Sequence, residues 1–439
     1  MSNELIGLTM VAAMIAAIFV GFPISFTLIF LGLVFGYWGF GDLVFYLLTL
    51  KFNETMSEQT LAAVPLFVFM GIMMEQAQLM DRLFDSVQKL LAGVRGSLFL
   101  AVMFVATIFA AATGIVGASV TILGIMAGKS MIRSNYDVKL SAGLISAGGT
   151  LGILIPPSVM LVVMGPTIEV PVPTLFAAAL LPGIMLAVMF TLYAMIRCWL
   201  DPSLGPPLPL DMRPTSMARV WADFFFGLVP PSALVLAALG SIFFGLATPT
   251  EGAACGALGA LFLTLAYGKL SMANLRDAML KTLEISVLIL FLVATSNFFG
   301  AVFAKLGTPT MLTEYLLSLD LPRYVILGLI MALIFVLGWP LEWVPIVLIV
   351  VPFLLPLVQK LGFDMTWFGI LVAVNLQTAW LSPPVALAAY FLKGVVPQWE
   401  LSDIYKGMAQ FMVLQVLGLI LLIVFPEIVL WLPRVMYGN

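Results

Sequence analysis

Two apolar stretches of the chain, Thr113 to Ser158 and Pro340 to Pro384, carry the same kind of interruption in the same order. The first opens on Thr113-Gly114-Ile115-Val116-Gly117-Ala118-Ser119, runs through an apolar arm, and ends in Gly148-Gly149-Thr150 followed by Ile155-Pro156-Pro157-Ser158. The second opens on Gly338-Trp339-Pro340-Leu341-Glu342-Trp343 and ends in Asn375-Leu376-Gln377-Thr378 followed by Ser382-Pro383-Pro384. Pro156 and Pro383 are 227 residues apart, as are Asp137 and Asp364, so the copies align without a gap. Consecutive prolines remove two backbone donors and turn the preceding residue away from helix, so each apolar run has to break at its pair. The chain is an internal duplication whose longest apolar runs are interrupted at matching places.

Composition fixes the solvent in which those breaks sit. Hydrophobic residues make up 62% and charged residues 9% of the 439 residues, and the mean hydropathy is +1.16. A water-soluble surface needs far more charge, so the chain is a polytopic membrane protein. Its apolar runs, about 17 to 25 residues each, are long enough to cross a hydrocarbon core of roughly 30 Å as helices. They lack the alternation of a transmembrane barrel. The N-terminus, Met1-Ser2-Asn3-Glu4, has no basic region of a cleavable signal, so the run from Leu5 is expected to be a retained first span.

Read in order, full spans fall near 5–20, 22–37 and 61–78, with an amphipathic linker, 42–59, before the third. The run 97–128 is interrupted by Gly114 and Gly117, which leaves arms of about 15 residues, or near 22 Å, too short to cross. Basic residues flank both its ends, Arg95 before and Lys129 and Arg133 after, so it is expected to enter and leave on one side as a re-entrant hairpin. A broken span at about 140–164 and a long span at 175–199 follow. The Pro-rich segment from Asp201 then opens a linker, 201–223, between a first repeat, 1–200, and a second, 224–439. The second repeat reads as spans at 224–247 and 253–267, an amphipathic piece at 271–282, a span at 285–303, a hairpin at about 324–359, a broken span at about 367–391 and a last span at 404–432.

Five crossings per copy plus one hairpin make about ten spans and two hairpins. An odd number of crossings sets the second copy upside down, which is an inverted-topology repeat. With both termini outside, only Lys51, Lys305, Arg323, Lys360 and Arg434 of the 19 Lys and Arg residues face outward. This orientation obeys the positive-inside rule and its reverse violates it.

The breaks are where polar chemistry can be placed. Backbone groups freed inside hydrocarbon must find partners, and four broken elements meeting at mid-depth offer carbonyls and half-helix ends to ions and anions. Gly114, Gly117, Gly149 and Gly338 supply the bends, and Pro156, Pro157, Pro383 and Pro384 the helix breaks. Ser119, Thr150, Asn375, Gln377, Thr378 and Ser382 offer neutral oxygens suited to a hard cation such as sodium, the only metal this pattern calls for. Ser296 and Asn297 are polar residues in an apolar run. For each of these side chains an interhelical hydrogen bond is the competing reading. Glu342, between Trp339 and Trp343, is read as ion-binding ahead of structural, whereas Glu75 is placed at an interface. Thr248-Pro249-Thr250-Glu251 reads as a capping box, and Gly252, Gly256 and Ala260, like Gly32 and Gly36, as close helix-packing positions.

Several functions are excluded by what is missing. Gly124-Ile125-Met126-Ala127-Gly128-Lys129-Ser130 imitates a phosphate loop, but position 123 is leucine and no strand precedes it. There is no histidine, and Cys198 and Cys255 are isolated, so neither a metal centre nor a disulfide framework is expected. No catalytic residue, cofactor or nucleic-acid surface is assigned, and an enzyme within the membrane is disfavoured.

Gly21-Phe22-Pro23, the tip ending at Ser119, Ile155-Pro156-Pro157-Ser158, Ala247-Thr248-Pro249-Thr250-Glu251 and Ser382-Pro383-Pro384-Val385 together resemble the large membrane subunit of tripartite ATP-independent periplasmic (TRAP) transporters, over essentially the whole chain. The resemblance implies an elevator-type, sodium-driven importer in the bacterial inner membrane. Its partners would be a small membrane subunit, a periplasmic binding protein that delivers a small carboxylate, and the surrounding membrane lipid. Sodium and substrate sites are implied around Ser119, Thr150, Glu342, Asn375 and Thr378. The Trp-rich tip Gly338-Trp339-Pro340-Leu341-Glu342-Trp343 is more similar to the branch labelled for mannitol or chloroaromatic compounds, which points to a 2-oxo or 2-hydroxy acid rather than a C4-dicarboxylate. A stand-alone carboxylate carrier of the same architecture is the alternative.

Overall fold

The computed structural model describes residues 2–113, 116–208, 213, 214, 216–383 and 386–438, apart from the side chains of 111–113. Gly114, Pro384 and Val385 therefore lie outside the described residues. Among those residues every regular element is helical, and eight helices are long and apolar enough to cross a membrane, with five shorter apolar helices beside them.

The first copy runs α1 (Asn3–Val20), α2 (Ile24–Phe40), α3 (Leu43–Ser57), α4 (Ala63–Gln76), α5 (Leu79–Leu90), α6 (Ser97–Thr113), α7 (Val116–Arg133), α8 (Val138–Thr150), α9 (Val159–Thr167) and α10 (Val172–Leu200). The second runs α11 (Met217–Phe243), α12 (Pro249–Ala266), α13 (Met272–Lys305), α14 (Thr308–Ser318), α15 (Arg323–Leu337), α16 (Trp343–Pro345), a π-helical stretch Ile346–Val350, α17 (Val351–Lys360), α18 (Met365–Ala379), α19 (Leu387–Val395) and α20 (Leu401–Val424). A final helix, α21 (Glu427–Tyr437), packs on α10. Shifted by the repeat offset, α6 falls on α15, α8 on α18, α9 on α19 and α10 on α20.

Local chemistry repeats with the elements. Asp137 caps α8 by accepting the Leu140 N–H at 2.7 Å, and Asp364 caps α18 by accepting the Trp367 N–H at 2.8 Å. Gly41 and Gly268, one offset apart, both have φ of +67°, which a side chain would resist. The capping box is present: Glu251 N–H donates to Thr248 Oγ1 at 3.3 Å and Thr248 N–H donates to Glu251 Oε2 at 2.8 Å. The small-residue faces are close contacts, since a Cβ on Gly256 would stand 2.6 Å from Met70 Sδ and one on Gly32 2.6 Å from Phe298.

The sequence reading needs correction where the copies differ: the last span expected at 404–432 ends at Val424, with α21 set apart after it, and a second change lies at the start of α13. The pieces expected separately at 271–282 and 285–303 form one helix, α13, of 34 residues and about 51 Å. In the first copy the same region is broken between α3 and α4 by a short 3-10 turn, Gln59–Ala62. Glu58 accepts the Thr60 N–H at 3.1 Å and holds that turn. Its counterpart is Ile285, which carries no such acceptor and continues the helix. The amphipathic helices α5 and α14, which the sequence reading did not resolve, are the other addition.

Packing sorts the helices into two bodies. α1 to α4 pack with α11 to α13, whereas the hairpins, broken spans, α10, α20 and α21 pack mainly among themselves, with α4 touching α6 and α9, and α13 touching α16 and the π-helical stretch, across the boundary. Thr264 Oγ1 donates to Met73 O at 3.0 Å and Asn297 Nδ2 to Thr55 Oγ1 at 3.0 Å, both bonds within the first body. α5 joins the bodies, lying against α11 on one side and α6 on the other.

Candidate functional site

The first expected re-entrant hairpin is a pair of helices, and the second is α15 followed by α16, the π-helical stretch and α17. α6 and α7, of 17 and 18 residues, form the first. At the first broken span, α8 ends at Thr150, a short 3-10 turn Leu151–Ile153 follows, and α9 restarts at Val159. Ser158 closes the gap from both sides: its Oγ donates to Ile153 O at 2.5 Å and accepts the Leu161 N–H at 3.4 Å. At the second, α18 ends at Ala379 and α19 restarts at Leu387, while Ser382 Oγ donates to Thr378 O at 2.8 Å. Buried hydroxyls thus satisfy carbonyls that the interrupted helices leave over.

The tips close on the breaks. A Cβ on Gly149 would lie 2.4 Å from Val120 Cγ2 and 2.9 Å from Val120 N, so the first hairpin and first break touch backbone to backbone. A Cβ on Gly338 would lie 2.6 Å from Ala379 Cβ, so the second tip also lies against the second break, through a different pair of positions. Gly117 crosses between copies, with a Cβ position 2.8 Å from the Phe391 ring on α19. These glycines serve approach rather than flexibility.

At the centre, Gln377 Nε2 donates to Thr150 Oγ1 at 3.0 Å. Both residues are fully buried, and Thr150 Oγ1 in turn donates to Ala147 O at 2.7 Å. Gln377 Oε1 has no partner among the described residues, nor has Ser146 Oγ, one turn before Thr150 on α8. An unpartnered amide oxygen at such depth is a ready ligand for a hard cation.

The other candidate residues separate around this pair. Ser119 is buried near the first tip. Thr378 Oγ1 is spent on Val374 O at 3.0 Å. Asn375 Nδ2 donates to Met331 O at 2.7 Å, which braces α15 of the second hairpin. Ser296 is buried, and its hydroxyl has no partner among the described residues. Asn297 belongs to the first body through Thr55. Glu342 is half-buried at the start of α16 with no side-chain cap bond, and among the described residues it makes no hydrogen bond to Thr150 or Gln377.

Two cavities flank the centre. One, of about 380 Å³, lies between α4 and α13 on one wall and the first tip and α19 on the other; Glu75, Gly117, Thr121, Lys281 and Phe391 line it. The other, of about 170 Å³, lies between α3, α13 and α9, with Glu54, Glu58, Pro166, Asn297 and Leu348 in its wall. They are repeat partners, since Lys281 corresponds to Glu54 and Thr121 to Leu348 at the offset of 227. The sequence reading missed this use of Glu75, whose signal was a carboxylate within an apolar helix.

Comparison with known proteins agrees with this architecture. Residues 11–428 match the family model for the tripartite ATP-independent periplasmic transporter, DctM component. The chain is 30% identical over 433 residues to a sialic acid TRAP transporter large permease protein of Vibrio cholerae, covering 96% of this chain and 97% of that one. It is 28% identical to a C4-dicarboxylate TRAP large permease of Pseudomonas aeruginosa, over 88% and 89% of the two chains. With the 2,3-diketo-L-gulonate TRAP large permease of Escherichia coli it shares 27% over 96% and 98%. Among solved structures, the YdaH transporter of Alcanivorax borkumensis has the same fold, with a TM-score of 0.62, 16% identity, and coverage of 88% and 89%.

Proposed function

Because the chain belongs to the DctM family of TRAP transporter large permeases, we propose that it drives sodium-coupled import of a small organic anion handed over by a periplasmic binding protein. It is a multi-pass permease of the inner membrane and not an enzyme. A small membrane subunit and a periplasmic binding protein are the partners that the family implies. The positive-inside count supports both termini in the periplasm, an orientation that assigns the 380 Å³ cavity to the cytoplasmic side and the 170 Å³ cavity to the periplasmic side.

The observation that carries this reading is the pair of repeat-related cavities on opposite sides of one unit of hairpins and broken spans. Moving that unit as an elevator along the α1–α4 and α11–α13 body would enlarge one cavity as the other closes. Sodium is held at the breaks, where Gln377 Oε1 and the hairpin ends are available. Each uncompensated sodium charge adds about 2.3 kcal/mol of driving force per 100 mV. The cargo is a carboxylate, and the Trp-flanked second tip favours a 2-oxo or 2-hydroxy acid over the dicarboxylates named for some relatives.

The experiment is uptake into proteoliposomes that contain the permease, its small subunit and the binding protein. Accumulation that follows an inward sodium gradient supports the reading; uptake indifferent to sodium removes it. Uptake by the permease alone would favour a stand-alone carrier.

A further inference from the structure

The cytoplasmic cavity has a lysine in its lining, away from the breaks at which sodium is held. Lys281, in the N-terminal third of α13, and Glu75, on α4, are the only charged residues among those lining it. They act on each other electrostatically without closing into a salt bridge among the described residues. Opposite them are Gly117 and Thr121 of the first hairpin and Phe391 of α19. The wall carrying the charges is fixed: Gln76 Nε2 donates to Asn274 O at 3.0 Å, which ties the end of α4 to α13, and Thr264 holds α4 at Met73. One repeat away, the position of Lys281 is occupied by Glu54 and that of Ile285 by Glu58, both in the wall of the periplasmic cavity. Glu54 is paired with Lys51 at 2.6 Å, whereas Lys281 has no such partner among the described residues.

We infer that Lys281 meets the carboxylate of the anionic cargo as the first hairpin presents it to the cytoplasmic side, with Glu75 competing for the same ammonium. The inference rests on the uptake reading and adds the residue that gives the exit its charge preference. The first tip, 113–119, has no charged side chain with which to tell an anion from a neutral solute, and a cation on the fixed wall can do so. Lysine suits a release point, because its ammonium is a compact point charge rather than a fork that grips a carboxylate bidentately. Glu75 prevents the grip from becoming a trap, since every approach of the ammonium to the cargo is made against its attraction to a neighbouring carboxylate. The inverted charge at Glu54 follows the direction of travel: no cation is among the residues lining the entry cavity, and Lys51 beside it is already paired with Glu54.

Two measurements test this. In a background with Cys198→Ala and Cys255→Ala, Thr121→Cys places a thiol in the cavity. Its modification is timed with methanethiosulfonate reagents carrying a sulfonate or a trimethylammonium group. The sulfonate-to-ammonium rate ratio should fall at least five-fold on adding K281Q and recover with K281R; an unchanged ratio overturns the inference whether or not uptake is ever observed. In proteoliposomes with the small subunit and binding protein, sodium-driven uptake of labelled lactate, pyruvate, succinate and sialic acid is compared. K281Q should lower uptake of the carried anion at least five-fold, and K281R should regain at least half of it. The double variant E75Q/K281Q should stay low. Full activity in K281Q, or restoration in the double variant, would make the residue a structural partner of Glu75 and overturn the inference. If the wild type carries none of the four anions, the uptake reading fails for these cargoes while the thiol ratio still decides the charge assignment.

Discussion

Gln377 Nε2 donates to Thr150 Oγ1 over 3.0 Å, and the two residues are 227 apart, so each is the other's counterpart in the repeat. Two points exchanged by a two-fold operation can touch only near its axis. The bond therefore places the last turns of α8 and α18 at the centre of the duplication, where the broken spans end. A duplicated pair of interruptions has become one central polar contact.

Substitution at this bridge separates packing from transport. Thr150→Val keeps the shape and removes the acceptor, leaving the Gln377 amide N–H buried without its partner, at a cost of about 1 to 3 kcal/mol. The melting temperature in detergent should fall, and sodium-driven uptake should fall at least ten-fold. Thr150→Ser keeps the hydroxyl and should retain most uptake. A loss of stability in Thr150→Val with normal uptake per folded molecule would make the bridge purely structural.

The glycine contacts carry a ranking. At Gly149 an added Cβ meets backbone, Val120 N at 2.9 Å and Val120 Cα at 3.0 Å, whereas at Gly117 its three nearest atoms all belong to the Phe391 ring. A ring can swing aside and a helix backbone cannot. Gly149→Ala should therefore destabilise by about 1 to 3 kcal/mol, and Gly117→Ala by less. Thermal unfolding in one detergent measures both, and the reverse order would contradict the packing of the first tip on the first break.

The matched caps predict matched costs. Asp137 and Asp364 each accept one N–H at the start of a broken span, at 2.7 and 2.8 Å. Replacing either by alanine should cost about 0.5 to 2 kcal/mol, while asparagine preserves the acceptor and most of the stability. Denaturation of the four single variants tests this, and an alanine variant indistinguishable from its asparagine counterpart would count against the cap.

Much of the architecture was legible because hydrocarbon permits few structures. Apolar length located the spans, and the paired prolines and glycines located the breaks and tips. What was not legible depended on partners in the other body or the other copy. Asn375 looks like an ion ligand in one dimension, yet its amide braces α15 through Met331. Glu75 looks like an interface residue, and it becomes a cavity wall only because α13 carries Lys281 past it. The continuity of α13 depended on a single acceptor, present as Glu58 in the first copy and absent at Ile285. Thr150 and Gln377 were both readable as polar residues at breaks, but their bond was not, because the repeat offset alone does not show how near the axis each lies.

A last prediction concerns α5, the amphipathic helix that joins the two bodies outside the spans. Asp85 lines a polar cavity of about 240 Å³ with Arg82, Ser86, Lys89 and Asp223. Burial pushes its carboxyl above the usual carboxylate range; Lys89 opposes the rise and Asp223 adds to it. Asp81, on the same helix, is raised by burial and by Asp85 itself. A carboxyl that binds its proton more tightly when folded favours the folded state at low pH, and that contribution is lost as pH rises through its folded value. Its charged form is thus a net cost at neutral pH despite the neighbouring cations. Asp85→Asn should raise the melting temperature at pH 7 and flatten its dependence on pH across the upper carboxylate range. If the substitution instead lowers the melting temperature at pH 7 and leaves the pH profile unchanged, the attraction of Arg82 and Lys89 outweighs burial, and the sign assigned to this cavity is wrong.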